Sequence, residues 1–202
     1  MSLQKTRYPF YDVLQEKSHW DEHTREIVLK RLGPFTKYEF LNNYEVEILY
    51  AIAKLVVNEE RQEILEYLVH QLDKNLASPI GENQRKVGVP EQKKLIRQGL
   101  LALNQGVRQQ YGVNYVELGS PQQLAFLNDL QKGKATLSEE WQKFPQQDFF
   151  KKLAADLISA YYSHPVVWSE IGYGGPAYPR GYVRVEKGLT DPWEAKRDDR
   201  ES

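Results

Sequence analysis

His19-Trp20-Asp21-Glu22-His23 has the spacing that most resembles a reactive site. It fits H-x-x-E-H, the inverted form of the zincin motif. If the five residues lie on one helix, His19 and His23 share a face, two imidazoles can bind zinc, and Glu22 stands ready as the base. The plainer reading is a helix N-terminus, with Ser18 as cap, Asp21 and Glu22 complementing the dipole, and the histidines incidental. Zinc needs a third ligand, and no other feature of the sequence points to a hydrolase. A metal-binding or hydrolytic protein acting through His19, Glu22 and His23 is therefore the alternative reading, and no metal site is expected.

The other chemically suggestive residues give less. Gly172-Tyr173-Gly174-Gly175 invites comparison with phosphate-binding glycine loops, which need a preceding strand and a following helix N-terminus. Here a helical stripe precedes, Pro176 and Pro179 follow, and no G-K-[ST] exists. His70 falls on the polar flank of its helix and reads as a surface histidine. His164 directly precedes Pro165 and reads as a helix cap, with nothing resembling a triad beside it. The chain has no cysteine, which removes disulfides, thiolate zinc sites, iron–sulfur ligation and a cysteine nucleophile. The carboxylates sit on helix faces beside lysines and arginines, so no pair stands out as acid and base. No catalytic and no cofactor-binding residue is expected in this chain.

The elements that carry these residues are helical. Asp21 to Leu32 has acids in its first turn and Lys30 and Arg31 in its last. Asn42 with Glu45 resembles a capping box opening a helix through Val57, with Leu49, Ile52, Ala53 and Val56 on one face. Glu60 to Leu76 carries the stripe Ile64, Leu65, Leu68, Leu72 and Leu76. After a breaker-rich loop from Ser78 to Pro90, Glu91 to Tyr111 repeats Ile96, Leu100, Leu103, Val107 and Tyr111. Ser120-Pro121-Gln122-Gln123 reads as a serine cap, a first-turn proline and a glutamine three residues on, with Leu124, Leu127 and Leu130 continuing the face. Gln147 to Tyr162 has the stripe Phe149, Phe150, Leu153, Leu157, Ile158 and Tyr161, and Pro165 restarts a short helix through Ile171.

Each stripe covers one face, so the helices must pack on one another. The expected fold is all-α: a single helical domain of about six to eight helices, with Tyr182 to Val185 as the lone strand candidate. The domain reading is an N-terminal arm (1–17), a helical domain (18–187) and a polar tail (188–202), with Lys196 to Ser202 fraying and Trp193 as a further docking point. Net charge is −1, with no electrostatic footprint for nucleic acid or an anionic membrane surface. No run of about 18 apolar residues occurs, so no membrane span is expected. The first residues carry neither an apolar signal core nor paired arginines, so the expected compartment is the cytoplasm.

Ser163 to Tyr182 stands apart. It gathers Gly172, Gly174, Gly175 and Gly181 with Pro165, Pro176 and Pro179, and threads Trp168, Tyr173, Tyr178 and Tyr182 among them. Neither helix nor sheet accepts such a run, yet the rings offer large apolar surfaces. An ordered irregular segment is expected, held against its own core or against another protein. Tyrosine, tryptophan and arginine are the types that anchor interfaces, and a stiff glycine–proline loop presents them at low entropy cost. The candidate partner-binding residues are Trp168, Tyr173, Gly174, Gly175, Pro176, Tyr178, Pro179, Arg180 and Tyr182. Tyr8, Pro9, Phe10 and Tyr11 repeat the theme near the N-terminus.

Tyr162-Ser163-His164-Pro165, Trp168, Glu170-Ile171-Gly172 and the run from Gly174 to Tyr182 resemble the C-terminal signature of the gluconate 2-dehydrogenase subunit 3 family. Asp191-Pro192-Trp193-Glu194 is similar to that family's tail. Tyr8-Pro9, Tyr11-Asp12-Val13-Leu14, His19-Trp20-Asp21 and Thr24-Arg25 are similar to its N-terminal residues, while the middle is similar in helix pattern and length. The resemblance implies a non-catalytic small subunit that binds, stabilises or helps mature a large flavin-dependent dehydrogenase of the glucose–methanol–choline type. FAD is then expected in the partner and no cofactor in this chain. The large subunit would oxidise a sugar, sugar acid or related alcohol, often with a cytochrome c subunit taking the electrons. Several members of the family carry a twin-arginine signal; this sequence shows none, so a periplasmic or cell-surface location would need a signal-bearing partner. A free-standing helical adaptor is the remaining alternative.

Overall fold

The computed structural model describes residues 6–80, 85–181, 184, 186 and 188–198. Among these the fold is all-α: seven α-helices joined by irregular segments and four short 3-10 turns, with no strand. The helices are α1 (Glu22–Leu29), α2 (Asn43–Val57), α3 (Gln62–Ala77), α4 (Gln92–Tyr111), α5 (Ser120–Lys132), α6 (Gln146–Tyr161) and α7 (Pro165–Ile171). The strand candidate falls largely on Tyr182, Val183 and Val185, which lie outside the described residues; Arg184 is not in a strand. By its internal contacts the chain divides into two compact units, Phe35–Ala160 and the residues up to Pro34 together with those from Tyr161 onward.

The Phe35–Ala160 unit is built from regular helices. The Asn42 carboxamide accepts the Glu45 N–H at 2.9 Å while the Glu45 carboxylate accepts the Asn42 N–H at 2.9 Å, the reciprocal box that the spacing implies. α2 then packs Ile48, Leu49, Ile52 and Ala53 beside α3, whose whole stripe of Ile64, Leu65, Leu68, Leu72 and Leu76 is buried. Each such leucine or isoleucine withdrawn from water contributes about 1.5–3 kcal/mol. α4 buries Ile96, Leu100, Leu103 and Val107, and ends at Gly112 with φ 75°. Its Gly99 lies flat against the Phe149 ring of α6, where any Cβ would overlap the aromatic carbons.

Three expectations need correction here. Ser120 does not cap α5; Gly119 occupies the cap, and the Gln123 side chain turns inward to donate to the Tyr115 carbonyl at 3.0 Å. The buried face of α5 is Gln123, Phe126, Leu127 and Leu130, a rotation that leaves Leu124 exposed. On α6, Ile158 likewise points outward, while Phe149, Leu153 and Leu157 are buried.

The other unit has a small core: Val13, Trp20, Val28 and Trp168, with Tyr11 and Leu14 packed against it. Val13–His19 forms a 3-10 helix whose cap is Asp12, and it rests on α7. Asp21 caps α1 by accepting the Thr24 N–H at 3.1 Å, so Ser18 is not the cap.

Candidate partner-binding segment

α7 is fixed at both ends by its sequence. His164 is fully buried at the N-cap, its Nδ1 accepting the Val166 N–H at 3.3 Å, and Pro165 supplies the first turn. At the other end Gly172 takes φ 72°, and the N–H groups of Gly172 and Tyr173 return to the Ser169 and Trp168 carbonyls. A side chain at Gly172 would run into the Tyr8 ring, so the residue is needed for close approach as well as for its φ.

Trp168 is anchored on all sides. Its indole N–H donates to the Tyr162 carbonyl at 2.6 Å, the Arg31 guanidinium lies 5.1 Å above the ring, and Tyr173 meets it edge-on with centroids 5.3 Å apart. Arg31 also donates to the Ser163 carbonyl at 2.7 Å. Gly175 is buried with φ 76°, and a Cβ there would sit 2.7 Å from the Trp20 ring. Trp168 and Gly175 are thus packed into this chain's own core.

The exposed part of the segment is narrower. Tyr178 is 69% exposed and Tyr173 41%, and Pro179 is exposed beside them. They stand on a turn closed by the Gly181 N–H donating to the Ala177 carbonyl. Below it, Arg180 donates to the Gly174 carbonyl and lies 4.9 Å above the Trp193 ring. Pro176 is half-buried, and Tyr182 lies outside the described residues. The result is an irregular loop held at its base and aromatic at its tip.

The arm and tail brace this loop. Thr6 donates its hydroxyl to the Glu170 carbonyl at 2.5 Å, and Val13 N–H donates to the Ser169 hydroxyl at 3.1 Å. The Tyr11 hydroxyl donates to the Trp193 carbonyl at 3.0 Å; burial pushes its pKa up to about 12, with Glu16 adding to the rise. Trp193 is the docking point its type implied. In the tail the Asp191 N–H donates to the Glu194 carboxylate, the Glu194 N–H donates to the Asp191 carbonyl, and the Asp198 N–H donates to the Arg7 carbonyl at 2.9 Å; of the stretch expected to fray, residues 199–202 lie outside the described residues.

The H-x-x-E-H residues are not on one helix. His19 ends the 3-10 helix beside Glu16, Trp20 turns into the core, and α1 starts only at Glu22 with His23 in its first turn. The i, i+4 geometry assumed for His19 and His23 is therefore absent, and among the described residues no group of three or more histidine or acidic side chains is placed to hold a metal. His70 is not a surface histidine: it is half-buried, stacked on Phe35 with centroids 4.7 Å apart.

Two buried carboxylates escaped the sequence reading. Asp73, 1% exposed, accepts the N–H groups of Glu39, Phe40 and Leu41 at 2.8–2.9 Å and so pins the chain entering α2. The available signal was its position beside Leu72 on the apolar flank of α3. Glu59, also buried, accepts from the Glu60 and Arg61 N–H groups and the Arg61 guanidinium; burial alone would raise its pKa, but these donors hold it down to about 2.

The described residues are thus all-helical, and the loop is braced at its base by the arm and tail of its own unit. The model of the family described as Gluconate 2-dehydrogenase subunit 3 matches residues 43–175. The chain belongs to that family, one of dehydrogenase subunits. The match runs through the helical middle, where the resemblance rested on helix pattern and length, and stops at Gly175 inside the signature. No curated protein and no solved structure matches the chain. No helix among the described residues is long and apolar enough to cross a membrane.

Proposed function

We propose that this chain is a non-catalytic small subunit that binds and stabilises, or helps mature, a flavin-dependent dehydrogenase large subunit of the glucose–methanol–choline type. The large subunit holds FAD and oxidises a sugar, sugar acid or related alcohol; a cytochrome c subunit is a further candidate member of the assembly. The observation that supports this reading is the loop from Gly172 to Gly181, whose base is locked by Gly175, Arg180 and Trp193 while Tyr178 and Pro179 project from it. An aromatic tip that is already ordered loses little entropy when it docks. Family membership supports a dehydrogenase as the partner.

The test is purification of the tagged chain from its native host under mild conditions. The expected result is a stoichiometric partner with a flavin absorption spectrum, dehydrogenase activity only in the complex, and loss of about tenfold or more in affinity for Tyr178→Ala. Flavin binding or sugar oxidation by the isolated chain, or no flavoprotein partner at all, overturns the reading.

A further inference from the structure

Beside the loop, the arm and tail enclose an open cleft of about 380 Å³ that the signature residues do not explain. Three rings line it: Phe10, which is 80% exposed, the half-buried Tyr11, and Trp193. Glu16, Glu194 and Asp198 share the lining with Lys196 and Arg197. We infer that this cleft receives a basic side chain, lysine or arginine, from the large subunit, and extends the docking surface from Tyr178 across Arg180 and Trp193 to Phe10. This rests on the accessory role proposed above.

The chemistry favours a cation over an anion or a purely apolar group. Aromatic faces carry negative quadrupole density and attract ammonium and guanidinium groups. Trp193 already shows the preference, because Arg180 of the same chain lies over its ring. Three acidic residues stand against two basic ones in the lining; the Glu16 carboxylate lies 3.6 Å from the His19 imidazole and the Glu194 carboxylate accepts the Asp191 N–H. The local field agrees. Burial is the main cause of the raised Tyr11 pKa, and Glu16, Asp12 and Glu194 push the same way against the single opposing effect of Arg180. The surface is continuous with the loop, since Trp193 contacts Arg180 and also lines the cleft.

Two measurements test this. First, the purified chain is titrated with Nα-acetyllysine methylamide and, separately, with its uncharged norleucine analogue, following the Trp193 indole N–H by NMR. Saturable shifts with the lysine probe at least about fivefold tighter than with norleucine are expected, weakened about fivefold by Phe10→Ala and about threefold by Glu16→Gln. Equal response to both probes, or no saturable shift, overturns the proposal. Second, in the purified complex Glu16→Gln should lower affinity and flatten its dependence on salt, whereas Tyr178→Ala should lower affinity and leave the salt slope unchanged. If the flavoprotein is recovered and Tyr178→Ala weakens it, but Phe10→Ala and Glu16→Gln change neither affinity nor salt slope, this inference fails and the accessory role stands. If no flavoprotein is recovered, the accessory role fails and the inference with it.

Discussion

The two units of this chain are ordered by different means. In Phe35–Ala160, five helices, α2 to α6, lay apolar stripes on one another and bond their own backbone, with side chains such as Asp73 and Gln123 fixing the connecting segments. In the other unit the two α-helices, α1 and α7, are short, and a core of four buried residues, two of them tryptophans, holds irregular chain in place. There the order comes from side chains bonding backbone: Trp168 to Tyr162, Tyr11 to Trp193, Thr6 to Glu170 and Arg31 to Ser163. Regular helices bury their donors and leave polar outer faces. An irregular unit held by aromatics can lift a ring such as Tyr178 into solvent without losing its shape, which is the property a docking surface needs.

The sharpest way to break this comparison is to remove Trp168. Its loss empties the smaller core and releases the Tyr162 carbonyl, Arg31 and Tyr173 together. Trp168→Ala should lower unfolding free energy by about 3–5 kcal/mol. Hydrogen exchange should accelerate first in residues 11–30 and 165–181. Uniform acceleration through α2 to α5 would show that the two units open together and that the contrast drawn here has no energetic counterpart.

Asp73 tests the other unit. Replacing it with alanine leaves three N–H groups, those of Glu39, Phe40 and Leu41, without their acceptor. A cost of about 3 kcal/mol is expected, measured by urea unfolding, with the residues before α2 losing exchange protection. A change below about 0.5 kcal/mol would mean that water replaces the carboxylate freely.

What could be read in the sequence follows the same division. Helical periodicity and capping chemistry are local, so α2, α3, α4 and α7 fall within about two residues of their expected bounds. Errors arose where tertiary packing overrode a local signal. Gln123 turned inward to reach Tyr115 and α5 rotated with it, so Leu124 faces water. His70 found Phe35, a residue far from it in sequence. The signature segment was legible as ordered and aromatic from its composition. Which of its rings face inward was not, because Trp168 and Gly175 meet Arg31 and Trp20, and nothing in the local sequence of the loop records those contacts.

Glu59 adds a pH-dependent difference within the helical unit. Its folded pKa of about 2 lies below the ordinary 4.5, so its ionised form is favoured by folding. That contribution is complete above pH 4.5 and is lost as pH falls from 4.5 toward 2. After allowance for solvent screening it amounts to about 1–2 kcal/mol. Thermal unfolding of Glu59→Gln against the parent should show curves that differ near neutral pH and converge at low pH. Parallel curves across that window would place the low-pH sensitivity elsewhere.

The smallest effect on folding, and the most telling for function, belongs to Tyr178. With most of its ring in solvent it contributes little to the core, and Tyr178→Ala should change stability by less than about 0.5 kcal/mol. Its neighbour Arg180 is held by Gly174 and Trp193 whether or not the tyrosine is present, so the loop should keep its shape, checked by unchanged Trp193 and Gly174 resonances. Affinity for the proposed flavoprotein partner should nonetheless fall by about tenfold or more, because a tyrosine buried at an interface centre is worth about 2 kcal/mol. A variant that keeps both stability and affinity would make the exposed tip idle. A variant that loses both would make Tyr178 part of the scaffold. Only the split between them separates a docking residue from a structural one.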